Sequence, residues 1–509
     1  MSTKQKSAAP TKDTTLLIYK LISQSDDLIV AYIVKYRKKY FFAELKSFTN
    51  TKLFDLYLMS IDYPTPPCER DLYPLLKELR TKDKGYMLQV TKTGWHKSCF
   101  LYGSNVIGKS EFEPYGKLNI GINTNISCNI SKFKSQFKTL LSTNSIPVFL
   151  FGALLAATIK SRLPCRQDNW GALIVGAGSD GKTTFLHLLG SFIGNYQDYC
   201  LNSNTTRENL ELDFATYSDL PILFDDLGNL KNSSATRSLA NLIKSFSQGR
   251  TKSFLSQSRD QIRGHSYSSV LIATSNSTIN DLEQSIDDTH NIRLINVYAD
   301  CTYRLFDNLC GFETPEKLVL HLQTQALTPN PILKAFIEKL IPYLDDVDFW
   351  QGHVNEIMQI ESLLTSQGVS DNKLARTANY FAQATAALDL ANQLLDLGIE
   401  NHYENISKIY SKWQATFNSE RWQPKQQLIN FINSNLDSTI VSIKSKAIKD
   451  GFGFFDDTFI YLNSDAINSC FINENKKLSL VALEYEYIQK KLCGINTKYY
   501  RFDKTYLNN

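Results

Sequence analysis

The chain has 509 residues, of which 43% are hydrophobic and 21% are charged, a balance typical of a soluble globular protein. This length is sufficient for about three domains and excludes a fibre or a chain without a buried core. The longest apolar run, at 146–159, is too short to span a bilayer, so we predict no transmembrane helix. The polar first residues lack the apolar core of a secretory signal, and we therefore expect a cytoplasmic protein.

Charge and cysteine usage narrow the functional classes further. The net charge is only +4, yet residues 1–140 contain 22 basic and 12 acidic residues, an excess compatible with nucleic-acid contact or with an ordinary solvated surface. The nine cysteines never form a CxxC pair and do not group with the seven histidines. Such a distribution predicts reduced, buried thiols rather than a metal site.

The first part of the chain predicts a small mixed domain. We expect a disordered leader at residues 1–13 and an α/β domain at 14–130. The strands of this domain are predicted at 28–34, 86–90 and 98–101, and its helices at 53–61 and 71–80. A Gly-, Asn- and Ser-rich segment at 116–129 indicates a connector, and a helical stretch is expected from 130 to 162.

The pattern changes near residue 170, where short apolar runs begin to alternate with helical segments. Buried strands are predicted at 171–175, 220–224, 269–274 and 293–299, which favours a parallel sheet with helices on both faces. We assign this core to residues 131–312 and an almost wholly helical region to 313–420. The last region, 421–509, has predicted helices at 424–434, 445–449 and 480–492 and strand-like runs at 459–462 and 499–502. Helices combined with a hairpin in so short a segment favour a winged helix.

One motif has the spacing of a phosphate-binding loop. The string GAGSDGKT follows the strand at 171–175 and opens a helix, which is the context that G-x-x-x-x-G-K-[ST] requires. Its glycines let backbone amides turn toward phosphate oxygens at the positive end of a helix dipole. Lys182 would reach the β- and γ-phosphates of ATP, and Thr183 would ligate Mg²⁺. The residues predicted to hold the nucleotide are Gly176, Ala177, Gly178, Ser179, Asp180, Gly181, Lys182, Thr183 and Thr184.

Polar side chains end the next two predicted core strands. Asp225 and Asp226 follow the run LPILF; in P-loop ATPases the first carboxylate holds the metal and the second orients or deprotonates the attacking water. The alternative interpretation, two solvated acids on a turn, is less consistent with the buried strand before them. Asn276 ends the run SVLIATSN and is predicted to contact the γ-phosphate or the water, although a turn or capping role remains open.

The order of these motifs, GAGSDGKT, LPILFDD, ATSN and NIRLINV, resembles that of the superfamily-three and MCM-like AAA+ helicases of viruses, plasmids and mobile elements. Other blocks resemble the self-loading helicase family carried by staphylococcal cassette-chromosome and related elements: GWHKSCFLYGSNVIG, NSNTTRENLELDFATYSDLPILFDDL, SQGRTKSF, DNKLARTANYFAQATAALDLANQLLDLGI and INTKYYRF. The likeness covers residues 90–509. It implies an AAA+ P-loop core with a helical lid, ATP and Mg²⁺ as cofactors, single-stranded and duplex DNA as partners, and a homo-hexameric ring.

Several residue roles follow from that resemblance alone. Arg293 matches an arginine finger that would complete the ATP site of a neighbouring subunit, and Arg376 resembles the sensor arginine of the helical lid. The segment GRTKSFLSQSRDQIRGHS matches a hairpin that such motors project into the ring pore. The candidates for gripping the DNA backbone are Arg250, Lys252, Arg259 and Arg263. Arg376 and the hairpin cations could equally be ordinary surface residues.

Two departures from the family pattern qualify this interpretation. Many relatives end the second strand in Asp-Glu, whereas this chain has Asp-Asp, so we expect slower or differently positioned water attack. The front domain lacks a primase signature. The favoured hypothesis is an ATP-driven DNA helicase for replication of a mobile element, plasmid or phage. The alternatives are an ATP-dependent DNA-binding initiator or switch and, more weakly, a protein-remodelling machine, which the basic hairpin disfavours.

Overall fold

The computed structural model describes two compact units, Met1–Phe417 and Asn418–Asn509. The described residues are 16–24, 28–36, 39–49, 51–61, 63, 74, 77, 83–103, 105–116, 118, 120–122, 126–165, 167–205, 207–230, 239–251, 254–255, 261–262, 266–283, 286–366, 371–420, 424–436, 438–444, 451–470, 485–492 and 495–504.

The first unit begins with a five-stranded sheet in the order β3-β2-β1-β4-β8. Its elements are β1 (Leu17–Ser23), β2 (Ile29–Tyr36), β3 (Lys39–Glu44), α1 (Thr51–Ser60), β4 (Asp83–Gln89) and β8 (Phe112–Tyr115). Helix α1 buries Phe54, Tyr57 and Leu58, which recur at helical spacing on one side. The predicted strands at 28–34 and 86–90 and the helix at 53–61 are confirmed. Of the helix predicted at 71–80, the structure describes residues 74 and 77, which are helical, and the other residues lie outside the described part of the chain.

A three-stranded meander then joins this sheet to the rest of the unit. It consists of β5 (Gly94–His96), β6 (Cys99–Tyr102), which confirms the strand predicted at 98–101, and β7 (Asn105–Gly108). The indole Nε1 of Trp95 donates to the backbone oxygen of Thr158 at 2.7 Å, and the Thr93 hydroxyl donates to Ser218 O at 2.6 Å. These bonds attach the meander to the core that follows.

The core is a five-stranded parallel sheet in the order β10-β11-β14-β9-β15. Its strands are β9 (Trp170–Val175), β10 (Leu201–Asn202), β11 (Ile222–Asp225), β14 (Val270–Ser275) and β15 (Leu294–Tyr298). Every residue of β9 and β14 is buried, as the near-continuous apolar runs predict for central parallel strands. The four predicted strands and their parallel arrangement are confirmed.

Short helices and one hairpin connect these strands. They are α4 (Lys182–Ser191), α5 (Tyr196–Tyr199), α6 (Arg207–Thr216), α7 (Leu239–Gln248), β12 (Phe254–Leu255), β13 (Gln261–Ile262), α8 (Ile279–Leu282) and α9 (Asp288–Asn291). β12 and β13 pair antiparallel, so the hairpin expected between the second and third predicted strands is present.

Long helices pack around the core sheet. Two precede it, α2 (Ile130–Thr143) and α3 (Ser145–Ile159), and five follow it, α10 (Pro315–Ala326), α11 (Ile332–Leu340), α12 (Val347–Thr365), α13 (Asn372–Leu395) and α14 (His402–Glu420). Both helical regions predicted from the sequence are confirmed. Small residues let α3 and α13 approach closely, because a Cβ at Gly152 would lie only 2.5 Å from the backbone oxygen of Ala384. The stretch Ser145–Arg162 is long and apolar enough to cross a membrane, but 89% of it is buried within the protein, as in a core helix.

The second unit contains a five-stranded sheet in the order β16-β17-β18-β20-β19. Its elements are α15 (Pro424–Asn435), β16 (Ile440–Ser442), β17 (Gly453–Phe455), β18 (Phe459–Leu462), α16 (Ser464–Cys470), β19 (Tyr485–Leu492) and β20 (Ile495–Asp503). The helix predicted at 424–434 and the strands at 459–462 and 499–502 are confirmed. The helix predicted at 445–449 lies outside the described residues.

One prediction in this unit is wrong. The segment 480–492 was expected to be helical, but its described part, 485–492, is strand β19, paired antiparallel with β20 from Tyr485↔Phe502 to Leu492↔Ile495. The sequence YEYIQKKL is compatible with both periods, and its two tyrosines favour a strand. Pairing with β20 satisfies the backbone along the whole segment, so tertiary contacts override the helical tendency of the Gln-Lys-Lys-Leu end.

Candidate nucleotide-binding site

The predicted phosphate loop connects the carboxyl end of β9 to the first turn of α4. Ser179 and Gly181 have φ values of 67° and 84°, a left-handed conformation that glycine adopts without strain. A Cβ at Gly176 would lie 2.6 Å from the Asp180 carboxylate, so the small residue is also required there for space. The loop opens onto a cavity of about 430 Å³. Its lining residues are Gly178, Ser179, Asp180, Gly181, Lys182, Thr183, Thr184, Asp225, Asp226, Thr274, Ser275, Asn276 and Val319.

Lys182 lies inside this loop and is held by backbone oxygens. Its ammonium donates to Gly176 O at 2.8 Å, to Ala177 O at 2.5 Å and to Asn276 Oδ1 at 3.2 Å. Burial lowers the pKa of Lys182, and the nearby carboxylates of Asp180, Asp225 and Asp226 partly oppose that shift. The loop therefore presents a partly desolvated cation, a setting in which an incoming phosphate is bound more strongly than at an open surface.

Asp225, the acid that ends β11, is fixed by two hydroxyl groups. The Asp225 carboxylate accepts from Thr183 Oγ1 at 2.9 Å and from Thr274 Oγ1 at 2.6 Å. This places a threonine hydroxyl and a carboxylate side by side at the mouth of the loop. Oxygen donors of this kind are the ligands that Mg²⁺ prefers, so Thr183 and Asp225 fit a magnesium ion.

The second acid has a separate position. The Asp226 backbone adopts a left-handed conformation with φ 61°, its amide donates to Thr274 Oγ1 at 2.8 Å, and its carboxylate accepts from Asn229 at 2.5 Å. The same threonine thus positions both acids. Because Asp226 also lines the cavity, its carboxylate is available to a group inside it.

Two contributors to this site were missed by the sequence analysis. Thr274 is one, and Arg304 is the other: its guanidinium donates to Ser179 O at 2.7 Å and lies 3.4 Å from the Asp180 carboxylate. The Arg304 side chain is 51% exposed, whereas that of Asp180 is 8% exposed. The position of Arg304 in the sequence could have indicated its role, because residues that follow β15 emerge at the same edge of a parallel sheet as the phosphate loop.

The predicted arginine finger, Arg293, and the predicted sensor arginine, Arg376, lie at the other edge of the sheet. The backbone oxygen of Arg293 accepts from Gly171 N at 2.8 Å, beside the start of β9, and Arg376 forms an ion pair with Asp168 just before that strand. Five residues of strand separate Gly171 from the loop at Gly176, which corresponds to about 16 Å. Neither guanidinium therefore belongs to the phosphate site of its own chain.

These two arginines share one environment. Burial and the neighbouring Arg376 lower the pKa of Arg293. Burial has the same sign at Arg376, but the contacts with Tyr380 and Asp168 outweigh it and raise the pKa of Arg376. The Arg293 guanidinium also donates to the backbone oxygen of Thr289. The carboxylates of Asp168 and Asp287 lie near Arg293 and oppose the lowering of its pKa, so the two arginines are partly neutralised by acids of their own chain.

The predicted DNA-contacting hairpin is described only in part. Arg250 is exposed and forms an antiparallel bridge with Ser266 at the base of the β12–β13 hairpin. Lys252, Arg259 and Arg263 lie outside the described residues, so their candidate roles stay predictions.

Comparisons with known proteins agree with this architecture. The family described as "Domain of unknown function (DUF927)" matches residues 39–263. No match was found among curated proteins. A solved structure titled "SCCmec type IV Cch - active helicase" is similar over 97% of this chain and 95% of that chain, with a TM-score of 0.65 and 16% sequence identity. The resemblance inferred from the sequence motifs is therefore confirmed as a likeness of fold that extends over nearly the whole chain.

Proposed function

We propose that this chain is an ATP-driven DNA helicase or translocase that assembles as a homo-hexameric ring. It would act in the cytoplasm, in the replication of a mobile element, plasmid or phage. The observation that carries the proposal is that the predicted catalytic residues lie in two groups at opposite edges of the core sheet. The phosphate loop and acids lie at the carboxyl edge of the core sheet, and Arg293 and Arg376 lie at the amino edge. A chain with that division needs a neighbour to complete its own site.

The proposed domains follow the same plan. We assign residues 14–130 to an N-terminal α/β domain, 131–312 to an AAA+ core, 313–420 to a helical lid and linker, and 421–509 to a winged helix. The phosphate-loop strand β9 lies between β14 and β15, so the acid strand β11 is separated from β9 by β14, the strand that Asn276 follows. The β19–β20 hairpin supplies a candidate wing.

The cavity fits a nucleotide triphosphate with its metal. The backbone amides near Gly181 and the first turn of α4 would hold the phosphates, and Thr183 and Asp225 would ligate Mg²⁺. Bound there, the ion would neutralise charge that develops on the phosphate oxygens. Lys182 would exchange the backbone oxygens of Gly176 and Ala177 for the β- and γ-phosphates.

Hydrolysis then needs a positioned water and a group that stabilises the transferring phosphoryl group. Asp226 orients the water and accepts its proton as the oxygen attacks the γ-phosphorus and ADP leaves. Asn276 contacts the γ-phosphate, and Arg293 from the neighbouring subunit stabilises the charge on the equatorial oxygens. Arg376, beside Arg293, reaches the same phosphate from the same neighbour. The bound nucleotide thereby links two subunits of the ring.

Arg304 acts on the loop from within the chain. Its contacts with Ser179 and Asp180 hold the middle of the phosphate loop and offset the charge of a carboxylate that would face the nucleotide. We assign Arg304 as a positioning residue for the loop.

Contact with DNA is assigned to the β12–β13 hairpin and its flanking cations Arg250, Lys252, Arg259 and Arg263. Phosphate contacts of lysine and arginine give a grip that does not depend on base sequence, which suits a translocating motor.

Strand separation on a forked duplex tests the proposal. The wild-type chain should unwind the fork with ATP and Mg²⁺, and Lys182→Ala should not, because its phosphate loop lacks the cation that binds the triphosphate. DNA-stimulated hydrolysis without strand separation would contradict the helicase and favour an initiator or switch. The same assay without magnesium tests the metal requirement.

A further inference from the structure

A buried asparagine just before the central strand β9 holds the base of the β12–β13 hairpin. Asn169 is only 2% exposed. Its side-chain nitrogen donates to the backbone oxygen of Phe246, in the last turn of α7, at 3.0 Å, and to that of Tyr267 at 3.4 Å. Its side-chain oxygen accepts from the backbone amide of Ser269 at 3.0 Å. One side chain therefore joins the segment that enters the hairpin to the segment that leaves it.

These two segments approach each other closely beside Asn169. The backbone amide of Tyr267 donates to the backbone oxygen of Gly249 at 3.0 Å, and we call these two residues the hairpin base. A Cβ at Gly249 would lie 2.6 Å from the Tyr267 oxygen and 3.2 Å from the Asn169 side-chain nitrogen, so no larger residue fits there. Because the hairpin base is packed this closely against Asn169, a displacement of one displaces the other.

The residue that precedes Asn169 is bonded to the predicted sensor arginine. The Asp168 carboxylate forms an ion pair with the Arg376 guanidinium, whose Nε donates to the Tyr380 hydroxyl at 2.8 Å. The Lys160 ammonium donates to the backbone oxygen of Asp168 at 3.0 Å and to the side-chain oxygen of Asn169. Lys160 is only 2% exposed, and a buried ammonium is costly unless its hydrogen bonds are made. Lys160 therefore holds Asp168 and Asn169 together.

We propose that Asp168 and Asn169 are positioning residues that couple Arg376 to the hairpin base, an inference that rests on the roles of Arg376 and the hairpin in the proposed function. Without DNA, Asp168 holds Arg376 and competes with the neighbouring subunit's nucleotide phosphate for the guanidinium. DNA that displaces the hairpin also displaces Asn169 and, with it, Asp168. The ion pair with Arg376 is then weakened, and Arg376 is released to the phosphate. DNA bound by the hairpin therefore stimulates hydrolysis at the neighbouring site.

ATP hydrolysis by the full chain, with and without single-stranded DNA, tests this coupling. Asp168→Asn keeps the size of the side chain but removes its charge. The rate without DNA should rise about threefold, the change expected when a partly exposed ion pair is lost. The ratio of the rates with and without DNA should fall by the same factor, because Arg376 is already released. Asp168→Glu, which keeps the carboxylate, should retain more of this ratio than Asp168→Asn.

A double variant shows whether Asp168 acts through Arg376. When Arg376→Ala is already present, Asp168→Asn should change neither rate, because the ion pair is absent in both chains. Asp396→Asn is the matched control and should leave both rates at the wild-type level. Asp396 pairs with Lys134 at 2.8 Å, at the opposite end of α13 from Arg376. Effects of Asp168→Asn and Arg376→Ala that simply add, or an Asp168→Asn variant with both rates lowered in parallel, would overturn the coupling.

Hydrogen exchange of the full chain without nucleotide tests the same contacts independently of hydrolysis. Arg376→Ala and Asp168→Asn should each speed exchange of the backbone amides of Tyr267 and Ser269, which are bonded to Gly249 and to Asn169. Asp396→Asn should not change it. Exchange at the wild-type rate in both Arg376→Ala and Asp168→Asn would overturn the coupling.

The two measurements separate this inference from the proposed function. A wild-type chain that hydrolyses no ATP, together with faster exchange in both variants, would refute the proposed motor and leave the coupling standing. Hydrolysis that DNA stimulates equally in the wild type and in Asp168→Asn would overturn the coupling and leave the motor standing.

Discussion

The two edges of the core sheet differ in what they can do alone. The carboxyl edge holds the predicted phosphate loop, where Lys182 donates to the backbone oxygen of Gly176 and the Asp225 carboxylate accepts from the Thr183 and Thr274 hydroxyls. The amino edge holds Arg293, whose backbone oxygen accepts from Gly171 at the start of β9, and Arg376, which pairs with Asp168. In the proposed ring, one edge of the sheet would bind the phosphates and the other edge would supply charge to the transition state of a neighbouring subunit.

The charged groups that surround the predicted site cations differ between the two edges. Lys182 is surrounded by Asp180, Asp225 and Asp226, which require a metal or further cation once phosphates arrive. Arg293 is beside Arg376, a like charge. The carboxylates of Asp168 and Asp287 also lie near Arg293 and offset part of that repulsion.

The sharpest test of the contrast compares one cation from each edge. Lys182→Ala should lose hydrolysis and most nucleotide affinity, because it removes the group that binds the phosphates. Arg293→Ala should lower hydrolysis about 10³-fold and leave nucleotide affinity of the isolated subunit unchanged. Steady-state hydrolysis and titration with a fluorescent ATP analogue measure the two effects. Loss of affinity in monomeric Arg293→Ala would show that the edges are not independent.

Replacement of Asp226, the second acid, should have the next largest effect on ATP hydrolysis. Asp226→Asn keeps the shape of the side chain but cannot accept a proton, so hydrolysis should fall about 10²-fold with nucleotide affinity retained. Asp226→Glu should recover a measurable share. Single-turnover experiments measure the rate of ATP hydrolysis in each variant. An Asp226→Asn variant that hydrolyses ATP at the wild-type rate would show that another group accepts the proton.

We expect a smaller loss of nucleotide affinity when Arg304, at the carboxyl edge, is replaced. Arg304→Ala removes a charge-assisted hydrogen bond to the phosphate loop, and nucleotide affinity should fall about fivefold. Lys317→Ala, an exposed cation on α10 that is bonded to Glu313, is the matched control and should bind nucleotide normally. Equal affinities in both variants would remove Arg304 from the site.

The smallest predicted effect concerns the turn that carries Arg293. Asp287 caps α9, and its hydrogen bonds with His290 and Thr289 lower the pKa of its carboxyl group. A lowered pKa contributes stability that is present above the unfolded-state value near 4 and is lost as the pH falls. Asp287→Ala should reduce the free energy of unfolding by about 1 kcal/mol at neutral pH. Urea denaturation should show that difference shrinking in acid; a constant difference would contradict the account.

The residues at the carboxyl edge could be predicted from the sequence because they lie at or just after the ends of apolar strands. Apolar runs locate β9, β11 and β14, and parallel strands bring the residues that follow them to one edge, so Lys182, Asp225 and Asn276 could be grouped in advance. Arg304 could not be grouped with them, because it lies several residues after the end of β15 and belongs to no recognisable motif. Segment 485–492 was misassigned because its pairing with β20 depends on tertiary contacts rather than on local preference.

Mixing two inactive variants tests the divided site most directly. A ring of Lys182→Ala chains lacks the lysine of every phosphate loop. A ring of Arg293→Ala chains lacks every arginine that would complete a neighbour's site. In equal, randomly mixed rings about one quarter of the interfaces would combine an intact loop with an intact Arg293. We predict that ATP hydrolysis rises well above that of either variant alone. Mixed rings that form, as judged by light scattering, yet hydrolyse no more ATP than the separate variants would contradict the account.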